Sequence, residues 1–356
     1  MINPKMITHQ NSTSNSFKKG LITKILVICG LLAACDSPQD QRNRFFLKAQ
    51  YQLKKQNLVA AKRLFSEAIT KDSTFKDAWN NRGITFLLMG DAQKALYDYN
   101  KAISIDSNFF DARYNRANLY YQQQDYALAL TDIDRLIATH PDTAKLYVSK
   151  GLIMNALQNK QEALLLFEKA LSLAKTPDAY VNRGTLLFEQ KKFEAAETDF
   201  RQALLIEPNH DFAMANLALL LAEKQQWQPA LDLLNKALMQ NPNQSNYLNN
   251  RAFVKMNLTD LAGAEEDLKR ALYYNNQNAW AIRNKAILKT KQNSVPEAIT
   301  LFEQAYTTDS TTLDLHYYWA NALWQAHKKQ EACLHWAKSV GRGEKGKDEL
   351  EKFCQK

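Results

Sequence analysis

Apolar and small residues return along this chain with a long, regular beat. In a frame that starts at Lys76, positions 4, 8 and 11 hold Trp79, Gly83 and Phe86, and positions 20, 24 and 27 hold Ala95, Tyr99 and Ala102. The frame restarts at Arg42, Lys76, Phe110, Ala144, Pro177, Asp211, Ser245, Ala279 and Leu313, every step being 34 residues except one of 33 from Ala144 to Pro177. Position 8 is always Gly or Ala. Position 20 is Ala from Ala61 to Ala332, and position 24 is large, from Phe65 to Trp336. Spacings of three and four mark one face of a helix, so each repeat is predicted as two helices joined by a polar turn near positions 14 to 16. Pro141, Pro208 and Pro242, at position 32, stop the second helix.

Small residues at 8 and 20 let two backbones approach, and the large side chain at 24 fills the space beside them. This pattern resembles the tetratricopeptide repeat. The resemblance covers nine units over residues 42–340; the first is the poorest match, with Lys48 and Gln52 at positions 7 and 11. It implies an all-α fold, a superhelical solenoid of stacked helix-turn-helix repeats whose first helices line a concave groove. Within residues 341–356, Leu350, Phe353 and Cys354 have the spacing of a C-terminal capping helix over the end of the stack.

Two polar positions recur inside the frame. Arg stands at position 7 in four repeats, as Arg82, Arg116, Arg183 and Arg251, and the same four repeats carry Asp98, Asp132, Asp199 and Asp267 at position 23. Where position 7 is Lys48, Lys150, Leu217 or Lys285, position 23 is Leu. Joint occurrence within one unit points to structural ion pairs between its two helices, rather than to a basic ladder for acidic ligands. Position 6 holds Asn81, Asn115, Asn182, Asn216, Asn250 and Asn284, with or without Arg beside them. The stripe 2, 6, 9, 13 lies about 200° around the helix from the core stripe at 4, 8 and 11. An amide both donates and accepts, so such a row can pair with the backbone of an extended peptide. The resemblance adds that similar asparagine ladders line the groove in some tetratricopeptide proteins. Alternatively the amides bond to the next helix and stiffen the stack. Phe212, Leu219, Phe253, Trp280 and Ile287 flank the row in the later repeats, as hydrophobic anchors for a ligand or as packing; Asp77, Asp111 and Asp178 do so in the earlier ones.

The net charge of +9 reads at first as a nucleic-acid signal. Four of its lysines, Lys5, Lys18, Lys19 and Lys24, precede residue 35, where no Asp or Glu occurs, and the remaining excess is mild and evenly spread. No nucleic-acid partner is predicted. Residues 1–34 have the build of an export signal, with the apolar run Ile25 to Ala34 too short to span a bilayer. Leu32-Ala33-Ala34-Cys35 resembles the lipobox of bacterial lipoproteins, which implies lipidation of Cys35, and the polar stretch Asp36 to Asp40 with Pro38 in it reads as a short solvated tether, placed at 35–41. Cys333 and Cys354 then form an even pair in an exported, disulfide-permissive setting. A zinc set with His327 and His335 lacks the usual spacings. His140 and His210 fall at repeat ends, where solvated side chains are expected. No phosphate loop, metalloprotease motif or nucleophile elbow is present. The sequence therefore predicts no catalysis, cofactor, metal or small-molecule substrate. It predicts a lipid-anchored scaffold of the bacterial cell envelope, at the outer membrane before the inner, that binds a protein or peptide segment in its groove. The alternative is an assembly subunit of envelope machinery, such as a pilus or secretion complex, that works through its convex face or ends.

Overall fold

The computed structural model describes residues 37–354. Among them are nineteen α-helices and no strand, and no helix is long and apolar enough to cross a membrane. Cys35 and the proposed signal lie outside the described residues. The helices form two compact units, 37–174 and 175–354. Each is a solenoid of helix pairs, a first (A) helix followed by a second (B) helix. In the N-terminal unit the pairs are α1 (Pro38–Lys54) with α2 (Leu58–Lys71), α3 (Lys76–Leu88) with α4 (Ala92–Ile105), α5 (Phe110–Gln122) with α6 (Tyr126–Thr139), and α7 (Ala144–Ala156) with α8 (Lys160–Leu173). The other unit pairs α9 (Pro177–Glu189) with α10 (Phe193–Ile206), α11 (Asp211–Glu223) with α12 (Trp227–Gln240), and α13 (Ser245–Asn257) with α14 (Leu261–Tyr274). It continues with α15 (Ala279–Lys291) and α16 (Val295–Thr308), then α17 (Leu315–Gln325) and α18 (Lys329–Gly341), and closes with α19 (Lys347–Cys354).

The first helix corrects the expected tether. Ser37 Oγ accepts the Asp40 N–H, the Asp40 carboxylate reaches back to Ser37, and Pro38 sits in the first turn. That is a capping box with proline where its missing N–H costs nothing, so residues 38–41 are helix.

Each pair closes where position 8 meets position 24. A Cβ added to Gly83 would lie 2.7 Å from the Tyr99 ring, and one on Gly151 would lie 2.5 Å from Phe167. Glycine here is a matter of room for the ring. The turn between the helices uses backbone instead. Position 15 is left-handed in every repeat, at Gln56, Gln124, Gln158, Lys191, Gln225, Thr259, Asn293 and His327, with Gly90 alone taking the residue that suits it. The N–H groups beyond the turn are thereby satisfied, as where Asp260 donates to the Lys255 carbonyl at 2.9 Å.

The last pair is built differently. Trp319 and His335 hold positions 7 and 23, with ring centroids 4.1 Å apart. His316 Nδ1 lies 3.1 Å from His335 Nδ1. Burial pushes both imidazoles down to about 4, helped by Arg342 and Lys338 at His316 and by His316 itself at His335. Helix α19 then seals the end: Leu350 and Cys354 pack on the cluster of Leu323 and Trp336, Phe353 lies 4.6 Å from the Trp324 ring, and Cys333 is bonded to Cys354 across a Cα separation of 5.7 Å. A loop of this size contributes about 3 kcal/mol through the unfolded chain.

Two outcomes follow from this architecture. Thr259 is β-branched at φ 66°, so Thr259→Gly should raise the melting temperature, with a gain of roughly 0.5–1 kcal/mol after the added unfolded-state entropy of glycine; an unchanged or lowered melt refutes it. The two histidines have folded pKa values below the unfolded value, so the unfolded chain takes up protons first as pH falls from about 6.5 to about 4. The contribution of these two histidines to stability should be full above that window and fall within it, and His316→Phe should flatten the melting temperature measured across it.

Candidate functional site

The structure places each position-7 Arg on the Asp of its own repeat. Nε and Nη2 donate to the two carboxylate oxygens at 2.6 to 2.8 Å in the pairs Arg82–Asp98, Arg116–Asp132, Arg183–Asp199 and Arg251–Asp267. This fork-to-fork geometry is the strongest form of the contact. The carboxylates are buried, while the guanidinium groups keep some exposure. A third nitrogen reaches position 25 of the preceding repeat: Arg82 donates to Ser66, Arg116 to Asn100, and Arg251 to Asn235. Lys150, which has no Asp in its own repeat, goes to position 25 as well, 2.8 Å from Asp134. Arg82, Arg116 and Arg251 therefore each tie their own pair and staple it to the one before, while Lys150 makes the second contact alone. Burial raises the Asp98 carboxyl above its ordinary range against the pull of Arg82.

The asparagine row does not stand on an open face throughout. Asn216, Asn250 and Asn284 are 3%, 0% and 0% exposed; Asn182 is also buried, and only Asn81 and Asn115 are half-open. The reason lies at position 5, which the sequence reading passed over. Asn115 donates to Asn80 at 2.9 Å and Asn284 to Asn249 at 2.8 Å, in each case from position 6 of one repeat to position 5 of the repeat before. Tyr114 and Ser149 repeat the relation at 3.2 Å. Asn-Asn at positions 5 and 6 occurs at 80–81 and 249–250 alone, and that doubled residue was the available signal. Where position 5 is apolar the amide turns elsewhere. Asn81 and Asn182 donate to carbonyls of their own helices, and Asn216 reaches Thr185 at 3.4 Å. Asn250, preceded at position 5 by Ala215, has a buried Nδ2 without a partner.

The flanking apolar residues are mostly covered too. Leu219, Trp280 and Ile287 are buried. Phe212 is half-buried with its ring 6.0 Å from Tyr247, and Phe253 half-buried beside Trp227. Arg283, a residue the pattern did not single out, is fully buried, lies 4.7 Å from the Trp280 ring, and donates to Asn284 Oδ1 and the Leu313 carbonyl. His210 is buried rather than solvated, because its Nδ1 accepts the Ala213 N–H at the start of α11.

The open part of the A-helix face lies on α3, α5 and α7. Asn81, Asn115 and Ser149 are half-open there. Phe110 and Tyr114 stack with centroids 6.0 Å apart, and the exposed Lys145 ammonium lies 4.6 Å from both rings. Amides, stacked rings and a cation side by side can hold backbone and an acidic or aromatic side chain. Among the described residues no three of His, Cys, Asp and Glu converge to hold a metal ion.

The ties make a quantitative expectation. Arg82→Leu leaves Asp98 buried without its partner and should destabilise by about 3–5 kcal/mol. Adding Asp98→Leu should recover most of that loss in denaturant melts; a double variant no more stable than the single one overturns the apportionment.

Comparison with known proteins bears on this architecture. Family models described as TPR repeat and tetratricopeptide repeat match residues 85–124, 114–180 and 177–210. Human tetratricopeptide repeat protein 13 is 30% identical over 82 residues, and the chain spans 10% of that protein's length, with 23% of the chain aligned. Among solved structures, the Cut9–Hcn1 hetero-tetramer of APC/C is similar at TM-score 0.63 and 14% identity over 88% of this chain and 76% of that one. Yeast Tom70 gives 0.52 and 19% over 87% and 68%, and PilF of Pseudomonas aeruginosa gives 0.50 and 18% over 59% and 96%. The chain carries tetratricopeptide repeats and has their solenoid fold.

Proposed function

We propose that this protein is a non-enzymatic scaffold, tethered to a bacterial envelope membrane through lipid on Cys35, that holds an extended protein segment against the first helices of its N-terminal unit. The observation that carries the reading is the half-open row of α3, α5 and α7, where Asn81, Asn115 and Ser149 stand beside Phe110, Tyr114 and Lys145. The tetratricopeptide fold supports it, since repeats of this kind present such a face for protein binding. Buried Asn216, Asn250 and Asn284 contribute stiffness in this reading rather than ligand contacts.

A photo-crosslinking residue at Tyr114 in living cells should yield a discrete protein adduct, and Lys145→Glu should abolish it. A crosslinker at Leu165, exposed on the second helix of the α7–α8 pair, should yield none. Adducts from Leu165 alone would favour the assembly subunit and end the groove reading. Metabolic labelling with a fatty acid tests the anchor: wild type should be labelled and Cys35→Ser should not, and an unlabelled wild type removes the lipid from the proposal.

A further inference from the structure

The most exposed large apolar side chains of the 175–354 unit are not scattered. Leu205, Met239 and Tyr273 are 75%, 79% and 83% exposed, and they stand one repeat apart on α10, α12 and α14. Each occupies position 29. Equivalent positions of stacked repeats face the same way, so the three form one row along the outer edge of the unit. Ile206 and Tyr274, next in sequence, are exposed beside them. A row of this kind has no role in stacking: the core contacts of the same helices run through Ala203, Ala237 and Ala271, which are fully buried.

Charge accompanies the row. The last six residues of the three helices, 201–206, 235–240 and 269–274, contain Arg201, Lys236, Lys269 and Arg270 and no acid. Arg201 and Lys269 lie four residues before Leu205 and Tyr273, on the same face, and Lys236 three before Met239. Arg201 is paired with Glu197 at 2.7 Å, and Arg270 donates to the Pro242 carbonyl. Lys236 and Lys269 are exposed and form no ion pair among the described residues. On α16 the pattern stops, for position 29 is Thr307 and position 25 is Glu303.

We propose that this edge is a docking surface for an anionic lipid bilayer. Side chains three-quarters exposed or more stand out from the surface instead of lining a cleft, so they suit insertion into a soft interface better than capture of a peptide, whose anchors need pockets. Tyrosine with an apolar body and polar tip favours the headgroup level, and lysines beside it reach anionic headgroups. Cationic residues near such a surface contribute additively and fade with salt.

The test uses the full chain with Met239→Cys, and with Cys29→Ser and Cys35→Ser so that a polarity-sensitive dye attaches at residue 239 alone. The apolar run Ile25 to Ala34 remains in every variant, so the dye reports which face meets lipid rather than whether the chain binds. Vesicles of phosphatidylglycerol with phosphatidylcholine should shift the emission to the blue, and phosphatidylcholine alone should not. Lys236→Gln with Lys269→Gln, a loss of two charges, should weaken the response about 25-fold, at roughly fivefold per unit of charge. A dye at Leu165 should stay unshifted. No shift at residue 239 on anionic vesicles, or an equal shift on neutral ones, overturns the proposal. A blue shift that grows with protein concentration without vesicles also overturns it, since the row would then join two copies of the chain.

Discussion

Everything in this fold rests on how closely two helices of one repeat can approach. Gly or Ala at position 8 and Ala at position 20 bring the backbones together, and a ring or branched side chain at position 24 fills the remaining gap. Because a single helix pair cannot bury its remaining apolar face, each pair needs a neighbour, and the solenoid is the outcome of meeting that need repeatedly. The tolerance is narrow. At Gly83 and Gly151 even one methyl group would collide with the ring opposite.

The buried charges are laid over this packing and do not create it. Arg251–Asp267 and its three counterparts gain strong, doubly bonded contacts, yet the carboxylates must leave water to make them. The raised carboxyl of Asp98 shows which effect is larger there. Leu217 with Leu233, and Trp319 with His335, fill the same two positions in other repeats without an ion pair. What the arginine adds beyond an apolar filling is its third arm to Ser66, Asn100 or Asn235, a directional bond that sets one pair against the next. Specific stacking is a better account of its recurrence than net stabilisation.

Contacts inside one repeat were legible in the sequence, and contacts between repeats mostly were not. The two helices, their turn and the joint occurrence of Arg and Asp all follow from periodicity within 34 residues. The partner of Asn284 is Asn249, 35 residues earlier, and no periodic count within a unit names it. The left-handed residue of each turn was hidden for another reason. Gln56, Lys191, Thr259 and His327 share no chemistry, only a position, because the fold imposes that conformation on whichever side chain arrives there. His210 and the helical start at Pro38 were missed by reading a repeat end and a proline as solvent-facing, when a cap and a first turn were being made.

The clasp between Cys333 and Cys354 gives the 175–354 unit a direction. A linear stack held by neighbour contacts comes apart from an end, where only one interface must be broken. Helix α19 covers that interface at the C-terminal end and is sewn to α18, so peeling there cannot begin by losing the last helix. A protease or a pulling force acting on α18 and α19 therefore meets a loop of chain closed from Cys333 to Cys354, and must cut it or open it before the two helices can part.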